Sequence, residues 1–348
     1  MNTSKEITIY DIARELKLSA ATVSRGLNNH PAINSETKKR ITEMAKKMGY
    51  RSNLFASNLR RQRTQTLGVI IPKLNSHFVS SALAGIEKVA NHAGYNLIIS
   101  QSQESIKKEI ANSITMFNSR VDGLIVSLSE NTRNLAHFDR FFKRGIPVVF
   151  FDRVATTKYS AHVIIDNFKA GYEATSHLIA QGCSQIIHAT GPLTSNVYVD
   201  RMQGYRQALS DHGLPFQEQN LIIKTLDEQG AENIARDILN RKPFPDGIFI
   251  SNDNCAVVCL QALTQAGVDV PGDVAIVGFN NDLISRMVEP KLTTVNYPGE
   301  HMGEVVALNL VNHLEGVSPL TAKNAIIVHS ELIIRGSSLR QNSAPIST

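Results

Sequence analysis

An all-α helix-turn-helix head joined to an α/β body, built as two doubly wound parallel-sheet lobes with a cleft between them, is the fold class this 348-residue sequence predicts. Three observations predict it. Two short amphipathic segments separated by a tight turn lie within residues 9–28, and basic residues crowd the first fifth of the chain. Beyond residue 65, apolar runs of strand length then alternate with helical periodicity.

In the head, Thr8 can cap a helix with Asp11 three places on, and Ile9, Ile12, Ala13 and Leu16 recur on one face. After a turn at Lys17 and Leu18, Ser19 caps a second helix. Its Val23 and Leu27 point inward and leave Ala20, Ala21, Thr22, Ser24 and Arg25 outside. A third segment, capped by Asn34 or Ser35, adds Ile41, Met44, Ala45 and Met48 and ends at Gly49. Such a pair of helices can set its second member in the DNA major groove, but a helical hairpin with a merely solvated face has the same spacing. Charge favours DNA: residues 1–65 hold 13 Lys and Arg against 5 Asp and Glu, a net of +8, while the whole chain is +5, leaving about −3 beyond. A basic module on a mildly acidic body is the footprint of a head that binds phosphates, and it predicts strong salt dependence.

Residues 51–63 read either as a plain linker or as something more. Leu54, Phe55 and Leu59 are apolar for a tether, Asn53 can cap a short helix, and a leucine beside arginines suits a minor-groove wedge. A helix of under two turns is unstable alone, so one that forms on DNA would couple binding to the body.

The body starts at Thr66–Pro72. Strands are expected at Asn96–Ser100, Gly123–Ser127, Pro147–Phe151 and Val163–Ile165, with helices starting near Val79, Ile106 and Leu135. After Asp166 the cycle restarts. A helix is expected from Lys169 to Gln181, strands at Gln185–Ala189, Gly247–Ile250 and Val274–Val277, and helices near Arg201, Glu228 and Cys255. Near-continuous apolar strands alternating with helices mean parallel sheets covered on both faces. Ligands of such sheets bind at the carboxyl ends of strands, where Asp152, Asn252, Asp253 and Asn280 stand; each could equally cap the following helix.

At 42% hydrophobic residues the chain can bury a sizeable core. No apolar run approaches the roughly 20 residues that span a bilayer, and the N-terminus lacks a signal-like segment, so a cytoplasmic protein without membrane contact is expected. Cys183, Cys255 and Cys259 have no metal-ligand spacing and read as buried thiols. The absence of GxGxxG, P-loop and HExxH patterns argues against an enzyme, and no cofactor or metal is expected. A periplasmic sugar-binding protein would share the body but carry a signal peptide and lack the basic head.

The segments Ile9-Tyr10-Asp11-Ile12-Ala13, Ser19 to Asn28, Gly49-Tyr50, Gly85-Ile86-Glu87, Val121 to Ile125, Asp166-Asn167, Arg201 to Tyr205, Asn252-Asp253 and Leu292 to Val295 resemble the lactose-repressor (LacI/GalR) family of bacterial transcription regulators, from Thr8 to about Arg335. The resemblance implies a periplasmic-binding-protein-like body and a homodimer, or a tetramer of dimers, on a palindromic operator of double-stranded DNA. Its expected action is repression under the control of a small molecule. It implies domains at 1–50 (DNA-binding), 51–64 (hinge helix and linker) and 65–348 (effector-binding and dimerisation). The lobes would be about 65–165 plus 297–324, and 166–296 plus 325–340. Ala20, Ala21 and Arg25 fall on its base-reading positions, with Ser19 and Thr22 on the same helix start and Tyr10, Ser24, Asn28 and Thr37 nearer phosphates. Asn53, Ala56 and Leu59 match its hinge, although Ser52 replaces the usual proline. Effector positions are Phe78, Asp152, Arg201, Asn252 and Asn280, a set suited to a sugar-like ligand; position 280 is commonly Asp in the family. The alternative effector is a nucleobase or a phosphorylated partner, and Arg201 could instead form a salt bridge with Asp152 or Asp253. The tail after Arg335 lacks leucine heptads, which makes a dimer the default.

Overall fold

Thr8 and Asp11 start the first helix as their spacing predicts: the Asp11 carboxylate accepts from the Thr8 N–H at 2.9 Å and from its hydroxyl at 2.7 Å. α1 (Ile9–Leu16) follows and ends at Lys17 in the left-handed conformation, φ 55°. Ser19 accepts from the Thr22 N–H at 3.1 Å and opens α2 (Ala20–Leu27). Asn34 does the same for Thr37 at 2.7 Å and opens α3 (Ser35–Lys47). Ile12, Ala13, Val23, Ile41 and Ala45 make the core of this unit. A Cβ on Gly26 would run into the Ile41 side chain, so glycine there lets α2 and α3 approach.

The computed structural model describes residues 7–50, 63–155, 160–320 and 325–340. The chain divides into two units, Met1–Thr64 and Gln65–Thr348. Asn53, Ala56 and Leu59 lie outside the described residues.

The second unit runs β1 (Thr66–Ile71), α4 (His77–His92), β2 (Asn96–Gln101), α5 (Ile106–Asn118), β3 (Gly123–Val126), α6 (Asp139–Lys143), β4 (Val148–Phe151) and β5 (Ala161–Ile165). It continues with α7 (Asn167–Ala180), β6 (Ile186–Thr190), α8 (Asn196–Asp211), β7 (Leu221–Ile223), α9 (Glu228–Leu239), β8 (Gly247–Ile250), α10 (Asp253–Gln265) and β9 (Ala275–Asn280). α11 (Ile284–Met287), β10 (Thr293–Asn296), α12 (Gly299–Leu314), β11 (Ala325–Val328) and β12 (Glu331–Ile333) complete it. The helix expected near Leu135 is a 3-10 turn, Ala136–Phe138, running into α6.

Two six-stranded sheets result, in the orders β11-β5-β4-β3-β1-β2 and β12-β10-β9-β8-β6-β7. All neighbours in the first are parallel, and in the second only the β10–β12 pair is antiparallel. β3, β4 and β8 are buried at every residue, as strands covered by helices on both faces must be. The chain crosses between lobes after β5, after β10 and again between β11 and β12. That third crossing differs from expectation. The resemblance implies that residues 325–340 lie together in the second lobe, but Ala325–Val328 pairs with His162–Ile165 in the first sheet, so the passage falls after Val328. A strand's own four residues do not encode which edge it joins.

Candidate functional site

In the head, Tyr10 is 68% exposed, and Ser19, Ala21, Arg25 and Asn28 are exposed too. Thr22, Ser24 and Thr37 are half-buried. Ala20 departs from the outward position expected of it: it is half-buried and packs in part on the head's core, so Ala21 is the freer methyl of the pair. The Ser19 and Thr22 hydroxyls lie 2.8 Å apart, and Asn28 Nδ2 donates to the Ser24 carbonyl at 2.8 Å. No acidic residue stands in the first turn of α2, which leaves the positive end of that helix open to a phosphate.

In the body, Phe78, Asp152, Arg201, Asn252 and Asn280 all line one cavity of about 660 Å3, to which both lobes contribute. β4 delivers Asp152 at its carboxyl end with φ 59°, and β9 ends at Asn280 with φ 119°. Such backbone in a non-glycine residue costs energy and collects at functional sites. Asp152 Oδ1 accepts from the Tyr297 hydroxyl at 2.6 Å and Oδ2 from Ser127 Oγ at 3.2 Å. Asn252 caps α10, its Oδ1 accepting from the Cys255 N–H at 3.1 Å. Among the described residues Asn252 Nδ2 makes no hydrogen bond and remains a donor. Asn280 Nδ2 reaches Asp282 Oδ2 at 3.4 Å, and Phe78 stacks on Tyr297 with ring centroids 4.1 Å apart.

Arg201 is only 3% exposed. Its Nε donates to Asn167 Oδ1 at 2.9 Å and Nη1 to the Ser251 carbonyl at 3.2 Å, and its guanidinium lies 3.5 Å from the Phe279 ring centroid. Burial draws its pKa below the usual arginine value. The expected alternative, a salt bridge to Asp152 or Asp253, is not what holds it: its hydrogen bonds go to an amide and a carbonyl. Asp253 is fully buried, accepting from Thr294 Oγ1 at 2.7 Å and the Asp282 N–H at 2.8 Å, and burial pushes its pKa up to about 7. It anchors the loop after β9.

Polar contacts also tie the lobes to each other. Asn196 Oδ1 on α8 accepts from the Val154 N–H at 3.0 Å, and Asn196 Nδ2 donates to the Asp152 carbonyl at 3.3 Å. Arg153 donates to both Glu104 carboxylate oxygens at 2.8 Å and reaches the Tyr198 hydroxyl at 3.5 Å. His77 Nδ1 lies 3.3 Å from Asp282 Oδ1. Cys183, Cys255 and Cys259 are buried thiols whose pKa values burial raises, to about 11 and about 12 for the first two. Among the described residues no cluster of three or more His, Cys, Asp or Glu is placed to hold a metal, and no helix is long and apolar enough to cross a membrane.

Residues 8–53 match the family described as bacterial regulatory proteins, lacI family, and residues 64–330 match the periplasmic binding proteins and sugar binding domain of LacI family. The chain belongs to the LacI family. This LacI-family regulator is 32% identical to catabolite control protein A of Priestia megaterium over 309 residues, covering 88% of this chain and 92% of that protein. It is 35% identical to the HTH-type transcriptional regulator RegA of Clostridium acetobutylicum over 320 residues, covering 90% and 94%. Among solved structures, the regulator CelR in its cellobiose complex aligns with TM-score 0.72 at 25% identity, over 95% of this chain and 100% of that one. The lac repressor dimer bound to operator and the anti-inducer ONPF aligns with TM-score 0.84 over 97% and 100%, and at 22% identity this likeness speaks for the fold. The regulator is thus a DNA-binding transcription factor of a non-enzymatic family.

Sequence reading missed several residues that line the LacI-family cleft, notably Tyr297, Tyr198, Arg153 and Glu104. Tyr297 carried a usable signal, since it follows β10 as Asp152 follows β4. That strand, Thr293-Thr294-Val295-Asn296, is too polar to stand out as one.

Proposed function

We propose that this regulator represses transcription by binding a palindromic operator as a homodimer, and that a small sugar or sugar derivative in the interlobe cleft controls its affinity for DNA. The observation that carries the effector half is the convergence of Phe78, Asp152, Arg201, Asn252 and Asn280 on one cavity. An aromatic face, an obligate acceptor, a guanidinium and two amides suit the faces and vicinal hydroxyls of a sugar ring. Cellobiose in the CelR complex lends support by family likeness. Charge favours a neutral ligand over a phosphorylated one, because six carboxylates line the cavity against Lys73, Arg153 and Arg201, and Arg153 is already committed to Glu104.

On the DNA side, Arg25 is the base reader, since a guanidinium can bridge guanine O6 and N7. The wedge role of Leu59 rests on its sequence setting alone. Homodimerisation draws on exposed isoleucines at one sheet edge: Ile99 on β2 is 42% exposed, and Ile110 and Ile114, one turn apart on the adjoining α5, are 39% and 37% exposed.

A thermal-shift screen of the full chain against neutral sugars, sugar phosphates and purines tests the reading, because a ligand that binds only the folded state raises Tm. Stabilisation by a neutral sugar is expected. A response to hypoxanthine or guanine with none to sugars would overturn it.

A further inference from the structure

Tyr297 lies where the chain crosses from β10 into α12 and touches both lobes. Its hydroxyl donates to Asp152 Oδ1 at 2.6 Å and its ring stacks on Phe78, both first-lobe residues. On the other side its ring meets Phe279 edge-on at 5.9 Å between centroids, and the Arg201 guanidinium lies 5.7 Å from it, both from the second lobe. Among the five effector-site residues, Asp152 alone is purely an acceptor. Internal donors already engage both of its oxygens, Tyr297 on one and Ser127 on the other.

We propose that Tyr297 gates the effector site: its hydroxyl holds the place on Asp152 that a donor group of the ligand takes, so a ligand enters by displacing the phenol. The proposal rests on the cleft being the effector site.

Two further observations fit. The phenol is 5% exposed, and burial holds its pKa well above the usual tyrosine value, so it remains a donor at neutral pH. Beside it lies a second, more open cavity of about 430 Å3, lined by His77, Arg286 and Glu300 as well as by Phe78, Asn280 and Tyr297 themselves, which gives the ring space to move into. The Phe78–Tyr297 stack therefore forms a partition between the two cavities. The gate also constrains ligand chemistry. Only a donor group, whether a hydroxyl, an ammonium or another N–H, can replace the phenol on a carboxylate, whereas a phosphate or carboxylate at that end brings acceptors alone. Because Tyr297 sits on a crossover, its displacement acts on the joint between the lobes.

The test uses full-length protein labelled with [13Cζ]tyrosine. With eight tyrosines in the chain, Tyr297→Phe identifies the Tyr297 signal by its loss. In ligand-free protein, Asp152→Asn should shift that signal. D-glucose, cellobiose, glucose 6-phosphate and hypoxanthine are then titrated into wild type and Tyr297→Phe. Any of them that binds should shift the Tyr297 signal and bind the variant about two- to tenfold tighter, the equivalent of one net hydrogen bond no longer in competition. Unchanged or weaker binding by the variant, or binding that leaves the Tyr297 signal in place, overturns the gate. If none binds either protein, the ligand-free comparison decides the gate: a Tyr297 signal indifferent to Asp152→Asn sinks it, and a shifted one sustains it.

Discussion

Single side chains carry two separable tasks. Arg25 is the long donor on the exposed face of α2, and its neighbour Ala20 is half withdrawn into the core, so the proposed direct readout rests on one guanidinium. Arg25→Ala should therefore relax preference at one base position by about 1–3 kcal/mol while leaving salt dependence largely intact, as read from binding-site selection; an unchanged site preference would count against the assignment. Asp253 has a different consequence. Its folded-state pKa of about 7 lies above the ordinary 3.8, so between those values the folded protein holds a proton that the unfolded chain has released. Its stabilising contribution is complete below about pH 4 and is lost as pH rises through about 7, with a total of order a few kcal/mol. Asp253→Asn keeps an acceptor for the Asp282 N–H and supplies a donor toward Thr294, imitating the protonated acid. Melting curves from pH 5 to 8 should fall with pH in the wild type and fall less steeply in the variant; parallel curves would show that Asp253 is not the titrating group.

Elements set those side chains in place, and glycines decide how closely the elements meet. α7 and α8 pack so tightly that a Cβ on Gly171 would strike the Arg201 backbone carbonyl, and one on Gly204 would strike that of Phe168. That contact is what seats Arg201 beside Asn167 and Ser251. Gly204→Ala should cost about 1–3 kcal/mol by forcing the helices apart and should weaken ligand binding along with stability; a melting temperature equal to wild type would mean the pair separates freely. The same elements show what the sequence makes legible. β3, β4 and β8 are continuous apolar runs and stand out, as do the caps at Thr8, Ser19 and Asn34. β7, β10 and β12 do not. β7 and β12 are three-residue edge strands, and β10 buries Thr293 and Thr294 whose hydroxyls are satisfied by Arg335, Ser338 and Asp253. Polarity matched by tertiary partners is invisible to a hydrophobic pattern, which hides Tyr297, whereas Asp152, Asn252 and Asn280 are legible as cavity-lining residues at strand ends and Arg201 by resemblance.

At the scale of the whole body, the two lobes are joined by three crossings, and among the described residues a handful of polar contacts also bridge them, so removing one should shift their relative position. Asn196 supplies two of those contacts, to the Val154 N–H and the Asp152 carbonyl, while Arg153–Tyr198 and His77–Asp282 supply others. A net hydrogen bond contributes about 0.5–1.5 kcal/mol, so losing two shifts an open–closed equilibrium by roughly 5- to 150-fold. Asn196→Ala should accordingly open the lobes, seen as a larger radius of gyration in ligand-free small-angle scattering. It should also reduce apparent ligand affinity in proportion to the lost closed fraction, without altering Phe78, Asp152, Arg201, Asn252 or Asn280 in the cavity. Because coupling between two sites is reciprocal, a variant that alters closure should also change the factor by which operator DNA alters ligand affinity, and by the same amount the factor by which ligand alters operator affinity. Scattering and ligand affinity both equal to wild type would show that the Asn196 contacts do not hold the cleft closed. An opened body with ligand–operator coupling unchanged would show that closure is not the signal that reaches the DNA.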